Sequence, residues 1–475
     1  MNDILLPIVQ TINTYLSDYI LVILLLGCGL WFSIKTKFVQ VRCFGEGMKN
    51  VFGNLSLKGG KQGGGMSSFQ ALATAIAAQV GTGNIVGASG AILIGGPGAI
   101  FWMWVIAFLG MATIYAEAVL AQKTRIKKEN GEVLGGPVYY IRTAFKGGFG
   151  KFLAGFFAIA IILALGFFGC MVQSNSIGST AQTAFGIPSW IIGILLVVIS
   201  GFIFLGGMDR LASVTEKLVP VMACFYLLGG LIIFFANITK VPEAFGLIFK
   251  YAFAPQAIIG GAFGAAIKKA ISQGAKRGLF SNEAGMGSTP HAHAMANVKD
   301  PHDQGVVAMI GVFVDTLVVV TMTALVVISA LYCNDGAIAQ AFASAPAGAD
   351  PAAIAASIGL DKTNMAQAAF AKFFGTTFGN AFVAICLLFF AFSTIISWNL
   401  FAKLNVIYLF GKKGVLPFMI IALAFIFMGS ILSNDLVWEL ADMFNQLMVL
   451  PNAIALIALG GSVSAVALAH GKKKN

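Results

Sequence analysis

Residues 81–87 read GTGNIVG, and Gln79 stands just before them. The polar side chains Gln79, Thr82 and Asn84 and the glycines Gly81, Gly83 and Gly87 thus interrupt 67–95, an apolar run long enough to cross a hydrocarbon core of about 30 Å. A dinucleotide fingerprint fails here, because Val86 occupies the place of its third glycine and no strand precedes it. Gly83 and Gly87 make a GxxxG helix-packing pair, but packing leaves Gln79, Thr82 and Asn84 without a reason. The remaining reading is a helix that unwinds inside the membrane. Each new helix end then bares backbone groups that cost several kcal/mol apiece if unpaired in lipid. Carbonyls closing the first half suit a sodium ion, and the N–H groups and positive dipole end opening the second suit a carboxylate. An amino-acid zwitterion with a cation meets both needs. Its ammonium would turn to acceptors such as carbonyls at a second break or the side-chain oxygen of Gln173.

Other residues add to this chemistry. Ser393 and Thr394 present adjacent hydroxyls, which with backbone carbonyls make a hard-oxygen cation site, and Trp398 lies one turn past Thr394 as a pocket wall. The same residues also suit ordinary roles, since Ser and Thr back-bond to their own helices and Trp favours interfaces. Three acids fall within apolar stretches: Glu117, Glu283 and Asp315. Glu117 reads as a structural clamp, near Lys123 and Arg125, and Asp315 as the group for proton coupling if sodium is not the ion. His291 and His293 lack a companion ligand and read as a polar helix end near water. Cys28, Cys43, Cys170, Cys224, Cys333 and Cys386 are scattered singly and read as packing residues.

The elements that must hold these groups are membrane helices. Of 475 residues 58% are hydrophobic and only 10% charged, against roughly 25% charged in soluble domains. The first apolar run has no basic segment before it, so it reads as a retained helix. A net charge of +11 comes from lysines and arginines in loops, with no stripe for nucleic acid. By the positive-inside rule the basic segments 35–61 and 123–151, with Arg210, Lys217, Lys403, Lys412, Lys413 and Lys472 to Lys474, are cytoplasmic. That puts the N-terminus outside and the C-terminus inside the cell (inner or plasma) membrane. Eleven spans follow, at about 17–34, 67–95, 98–122, 151–176, 188–206, 214–237, 277–298, 304–333, 368–402, 415–432 and 439–466. The lysine-rich stretch 240–276 is expected outside, as an amphipathic surface helix, and 334–363 as an external loop.

The span at 277–298, RGLFSNEAGMGSTPHAHAMANV, is too polar for lipid and resembles the first break in kind. Each break opens a block of five spans, and the blocks run in opposite senses, as in an inverted repeat with its site between paired broken helices. The expected organisation is 1–62, an extra helix and basic segment; 63–239, the first repeat; 240–276; and 277–475, the second repeat with a basic tail.

GGPGAIFWMWVIAFLG at 95–110 resembles the hallmark segment of the alanine or glycine:cation symporters, also called sodium:alanine symporters. GTGNIVG, MVQSNS at 171–176, GLFSNEAGMGS at 278–288 and GVFVDT at 311–316 are similar to that family's other blocks, in the same order. The resemblance implies an all-α integral membrane fold of leucine-transporter type, five plus five core helices with one extra N-terminal helix. It implies sodium-coupled import of small neutral amino acids, alanine or glycine, with no cofactor beyond the transported ion. It places substrate contacts at Thr82, Gly83, Asn84, Gln173, Phe280 and Trp398, to which the position of Gln79 at the break adds that residue, and sodium at the Ala77 and Val80 carbonyls with Ser393 and Thr394. Ser397 and Lys403 depart from the family pattern around the tryptophan, which bears on the pocket wall. The rival classes fit less well. A lipid-processing enzyme needs clustered acids, whereas the 19 acids here are scattered, and a channel favours symmetric rings.

Overall fold

The computed structural model describes residues 2–53, 66–129, 133–253, 263–333, 335–346 and 349–470. Lys58, Lys61 and Lys472 to Lys474, expected in cytoplasmic segments, lie outside these. Apart from a two-stranded antiparallel ribbon pairing Ile126 with Leu134, the regular structure is helical. Among the described residues eight helices are long and apolar enough to cross a membrane, and the pair Ser68–Gln79 and Gly83–Gly95, bent by 47°, makes a ninth. The 17-residue helix Ser189–Leu205 and a second broken helix complete the expected spans.

The helices form two groups. Ala99–Thr124 packs along Pro301–Val312 and Phe263–Asn282, close to the first broken helix. Cys170–Phe185, Ser189–Leu205, Thr376–Phe410 and Val415–Ile431 pack together as the second group. The N-terminal helix lies against Ala99–Thr124 and Asn434–Ala458. Outward rows such as Ile194, Val198 and Phe202, or Leu228, Ile232 and Phe235, are exposed at helical spacing and meet lipid.

Local signals set the ends of the elements that matter. Ser67 and Gln70 form a reciprocal capping box at the start of the first broken helix. Asp300 caps Pro301–Val312 by accepting from the His302 N–H at 2.9 Å. That helix continues through a π-helical stretch, Phe313–Val320, to Leu331. Such widened turns often mark functional positions, and this one carries Asp315 and Thr316.

The second broken helix differs from expectation at its start. Phe263–Asn282 is one helix, so 263–276 belongs to the broken span and not to a surface segment. Its cations escape lipid by pairing: Lys268 with Asp18 at 3.1 Å, Lys276 with Asp442 at 3.0 Å, and Arg277 with Asp442 at 2.7 Å. The upstream helix Val241–Phe253 docks on Ala99–Thr124, where Trp102 donates to the Ala252 carbonyl at 3.1 Å. Residues 254–262 lie outside the described residues. The stretch 334–363 includes two short helices, Ala337–Ser344 and Pro351–Ser357. The span expected at 368–402 divides at Gly375 (φ +80°) into Met365–Phe374 and Thr376–Phe410.

Candidate functional site

The first helix stops where the sequence runs out of helix formers. Val80 still donates to Ile76 at 2.7 Å but is itself extended (φ −78°, ψ 93°), so its carbonyl leaves the helix direction. Asn84 ties the turn by accepting from the Gly81 N–H at 2.9 Å, and the chain resumes as a π turn, Gly83–Gly87. Only glycine fits at 81, because a Cβ there would stand 2.4 Å from Thr394 Oγ1. Gly83 likewise lets the two breaks touch: a Cβ would meet Ser281 Cα at 3.0 Å. Close packing and unwinding are therefore both present, and the glycines serve both.

At the second break Glu283, Gly285 and Gly287 take positive φ angles of 58°, 88° and 81°, which turn backbone N–H groups inward. Glu117 receives two of them, from Gly285 at 3.0 Å and Gly287 at 2.9 Å, and a third donor from Asn452 at 2.7 Å. The clamp expected at Glu117 is thus made to peptide groups. Lys123 bonds Ser462 at 2.6 Å instead, and Arg125 bonds the Ala294 carbonyl at 2.9 Å. Glu283 accepts from Ser288 and, at 2.5 Å, from the Trp398 indole.

Hydrogen bonds join the two breaks. Gln79 donates to the Asn282 carbonyl at 2.7 Å. Asp315, fully buried, accepts from Asn84 at 2.6 Å, Ser281 at 2.8 Å and Thr316 at 2.7 Å. Asn282 in turn donates to Thr316 at 3.2 Å. Thr82 Oγ1 and Gln79 Oε1 are buried in this region without a hydrogen-bond partner.

A second oxygen cluster lies on the carbonyl end of the first half-helix. Thr394 Oγ1 is 3.0 Å from the Ala77 oxygen and 3.3 Å from that of Ala78, and Ser393 Oγ is 3.2 Å from Ala77. Both hydroxyls also make the expected back-bond to their own helix, donating to the Phe390 carbonyl at 2.8 Å from Ser393 and 3.1 Å from Thr394. Neutral oxygens gathered this way suit a hard monovalent cation.

Of the residues singled out from the sequence, Ala77, Gln79, Gly83, Asn84, Ser393 and Thr394 meet around the first break. Gln173 joins them through its side-chain oxygen, which accepts from the Thr82 N–H at 3.1 Å and so is partly committed to holding the turn. Phe280 packs edge-on against Trp398 (5.6 Å between centroids) and against Trp438 (4.9 Å). No hydrogen bond places the Val80 carbonyl in the oxygen cluster. His291 and His293 are not near water: both are buried, His291 stacks on Phe401 and pairs with Asn405 at 2.8 Å, and His293 pairs with Gln304 at 2.8 Å. Sequence reasoning missed Ser281, Asn282, Asn452 and the Phe390 carbonyl. Polar triplet SNE at 281–283 and Asn452 in an apolar helix were the available signals.

A cavity of about 230 Å³ is lined by Val86, Gly87, Gly90, Arg277, Lys362 and Trp438 among others, and Phe280 packs against that Trp438. Arg277, one of the lining residues, lies 4.5 Å over the Trp438 ring and pairs with Asp442 at 2.7 Å. The arrangement is a buried two-part polar site.

The chain is 39% identical over 458 residues to the Sodium/alanine symporter AgcS of Methanococcus maripaludis, covering 96% of this chain and 95% of that one. It is 40% identical over 456 residues to the Putative sodium/proton-dependent alanine carrier protein YrbD of Bacillus subtilis, covering 95% and 89%. The fold matches the crystal structure of MhsT in complex with L-phenylalanine, with a TM-score of 0.57, 13% identity, and coverage of 86% and 100%. That likeness shows the leucine-transporter-type fold. With the profile of the Sodium:alanine symporter family matching residues 2–475, the chain belongs to that family of cation-coupled amino-acid symporters.

Proposed function

We propose that this chain imports small neutral amino acids, alanine or glycine, together with sodium, by alternating access. The observation that carries the reading is the pairing of a bared carbonyl end, faced by Ser393 and Thr394, with a second break hydrogen-bonded to the first. In this reading sodium binds Ala77, Val80, Ser393 and Thr394, with Phe390 adding a carbonyl. The substrate carboxylate lies at Thr82, Gly83 and Asn84, with Gln79 and Gln173 beside it. Phe280 and Trp398 wall the side chain and keep it small. The N-terminus is outside and the C-terminus cytoplasmic, in the cell membrane. Residues 63–239 and the second broken helix onward act as the two repeats. The broken helices with Ala99–Thr124 and Pro301–Leu331 rock against the other group, which opens the site to each side in turn.

The energetics suffice. One sodium crossing about 150 mV releases roughly 3.5 kcal/mol, enough for several-hundred-fold accumulation at about 1.4 kcal/mol per decade. Uptake of radiolabelled alanine and glycine into proteoliposomes, with sodium or with a proton gradient alone, tests the reading. Accumulation is expected only with sodium. Equal uptake without sodium, abolished by a protonophore, would move the coupling to protons and to Asp315.

Thr394→Val keeps the shape of the helix but removes the hydroxyl facing Ala77. The sodium concentration for half-maximal uptake is expected to rise about tenfold or more, some 1.4 kcal/mol. An unchanged sodium dependence in a sodium titration would remove Thr394 from the ion site.

A further inference from the structure

Cys43, Glu46 and His302 come from distant parts of the chain and meet away from both breaks. Cys43 joins the short helices Val39–Arg42 and Phe44–Phe52, and Glu46 lies in the first turn of the second. His302 is the second residue of Pro301–Val312. A sulfur, a carboxylate oxygen and a ring nitrogen from the three all lie within 4.8 Å of one another.

The imidazole is held from behind. Its Nδ1 sits 2.7 Å from the Tyr115 hydroxyl, and its ring stacks on His470 at 4.1 Å with 6° between planes. His470 is itself fixed by Asp300 at 3.1 Å. His302 Nε2 is left pointing into the cluster. It is buried without a hydrogen-bond partner, since Glu46 at 3.5 Å is too far to make one.

We propose that Cys43, Glu46 and His302 bind a borderline-soft divalent cation of the zinc class, separate from the transported ion. Thiolate with imidazole selects such an ion over sodium or magnesium, which prefer oxygen alone. Tyr115 plays the part of the outer partner that orients a ligating histidine. Three protein ligands leave a fourth position to water. Bonds of about 2.0–2.3 Å require the three atoms to draw together, and Glu46, with its side chain 27% exposed, can rotate inward to do so. Binding releases the Cys43 thiol proton to solvent. Arg42, next in sequence, is engaged elsewhere, on the Ala467 carbonyl at 2.8 Å. The ion would tie the helix pair after the first span to the helix that carries Asp315.

The test is equilibrium dialysis of the purified full-length protein against Zn²⁺, with metal counted per chain, and Co²⁺ as a spectroscopic substitute. The expected result is one ion per chain, with affinity falling at least about tenfold in Cys43→Ser and in Glu46→Gln. Bound Co²⁺ should show a thiolate charge-transfer band that Cys43→Ser removes. Zinc binding equal in wild type and both variants, or cobalt bound without that band, overturns the proposal. If Cys43→Ser folds poorly, Glu46→Gln and the wild-type cobalt spectrum decide the matter.

Discussion

Asp315→Ala is expected to lower amino-acid uptake by more than about a hundredfold while the protein still inserts and purifies as a monodisperse species. The carboxylate holds Asn84 of the first break and Ser281 of the second at once. Alanine strands Ser281 and Thr316 and leaves Asn84 only the residue-315 backbone carbonyl at 3.2 Å, in a buried place where each unsatisfied group costs about 1–3 kcal/mol. Two such losses amount to about 2–6 kcal/mol, which brackets the roughly 2.7 kcal/mol that a hundredfold effect requires, and the weakened hold on Asn84 adds to them. The chain would then relax by parting the breaks, which removes the site without unfolding the helices around it. Asp315→Asn separates this role from proton carriage. An amide presents one acceptor and one donor to a ring of donors, so it should lose substrate binding as well as uptake. A proton-carrying Asp315 predicts the opposite pattern in the asparagine variant: intact alanine exchange between two equal pools, with net uptake lost. Measured binding and exchange, beside uptake, distinguish the two, and wild-type uptake by Asp315→Ala would dismiss both.

The parts of this arrangement that sequence could show are those written in local composition. GTGNIVG and SNEAGMGS stand out because glycine and amides have no business in lipid unless something polar answers them, so both breaks were legible. Ser393 and Thr394 were legible because adjacent hydroxyls in an apolar helix are chemically conspicuous. The start of the second broken helix was not, because hydropathy counts Lys268, Lys276 and Arg277 as charges and cannot see the acids that neutralise them. Those acids, Asp18 and Asp442, lie about 250 residues before and 165 residues after in the chain. His291 and His293 were misplaced for the same reason: a histidine with a polar neighbour reads as wet, whereas here Phe157 and Phe401 flank His291 and the neighbours that satisfy both histidines are buried. The partners of Asp315 and Trp398 depend on which turn of one helix faces which turn of another, a matter of tertiary packing that spacing along one strand of text does not encode.

Glu117 gives the second large effect, on stability as well as transport. Its two oxygens complete a second break whose backbone has been turned out of helical geometry at Gly285 and Gly287. Glu117→Ala leaves two buried peptide N–H groups without their acceptor, while the Asn452 amide keeps only the Gly285 carbonyl at 2.8 Å. Each buried donor so left costs about 1–3 kcal/mol, or about 2–6 kcal/mol for the two peptide groups. A lowered thermal midpoint in detergent and near-complete loss of uptake are expected together. Glu117→Gln retains one acceptor but aims an NH₂ at the other peptide donor, so it should fall between. Asn452→Ala should also be intermediate, because the carboxylate keeps both peptide contacts while Tyr140 loses its partner. Lys123→Ala should change little, since Lys123 bonds Ser462 and not the acid. That ordering is specific to a carboxylate clamping peptide groups. If Lys123→Ala were as damaging as Glu117→Ala, a side-chain ion pair would be the working contact; if Glu117→Ala unfolded and transported like wild type, the second break would be held by something else.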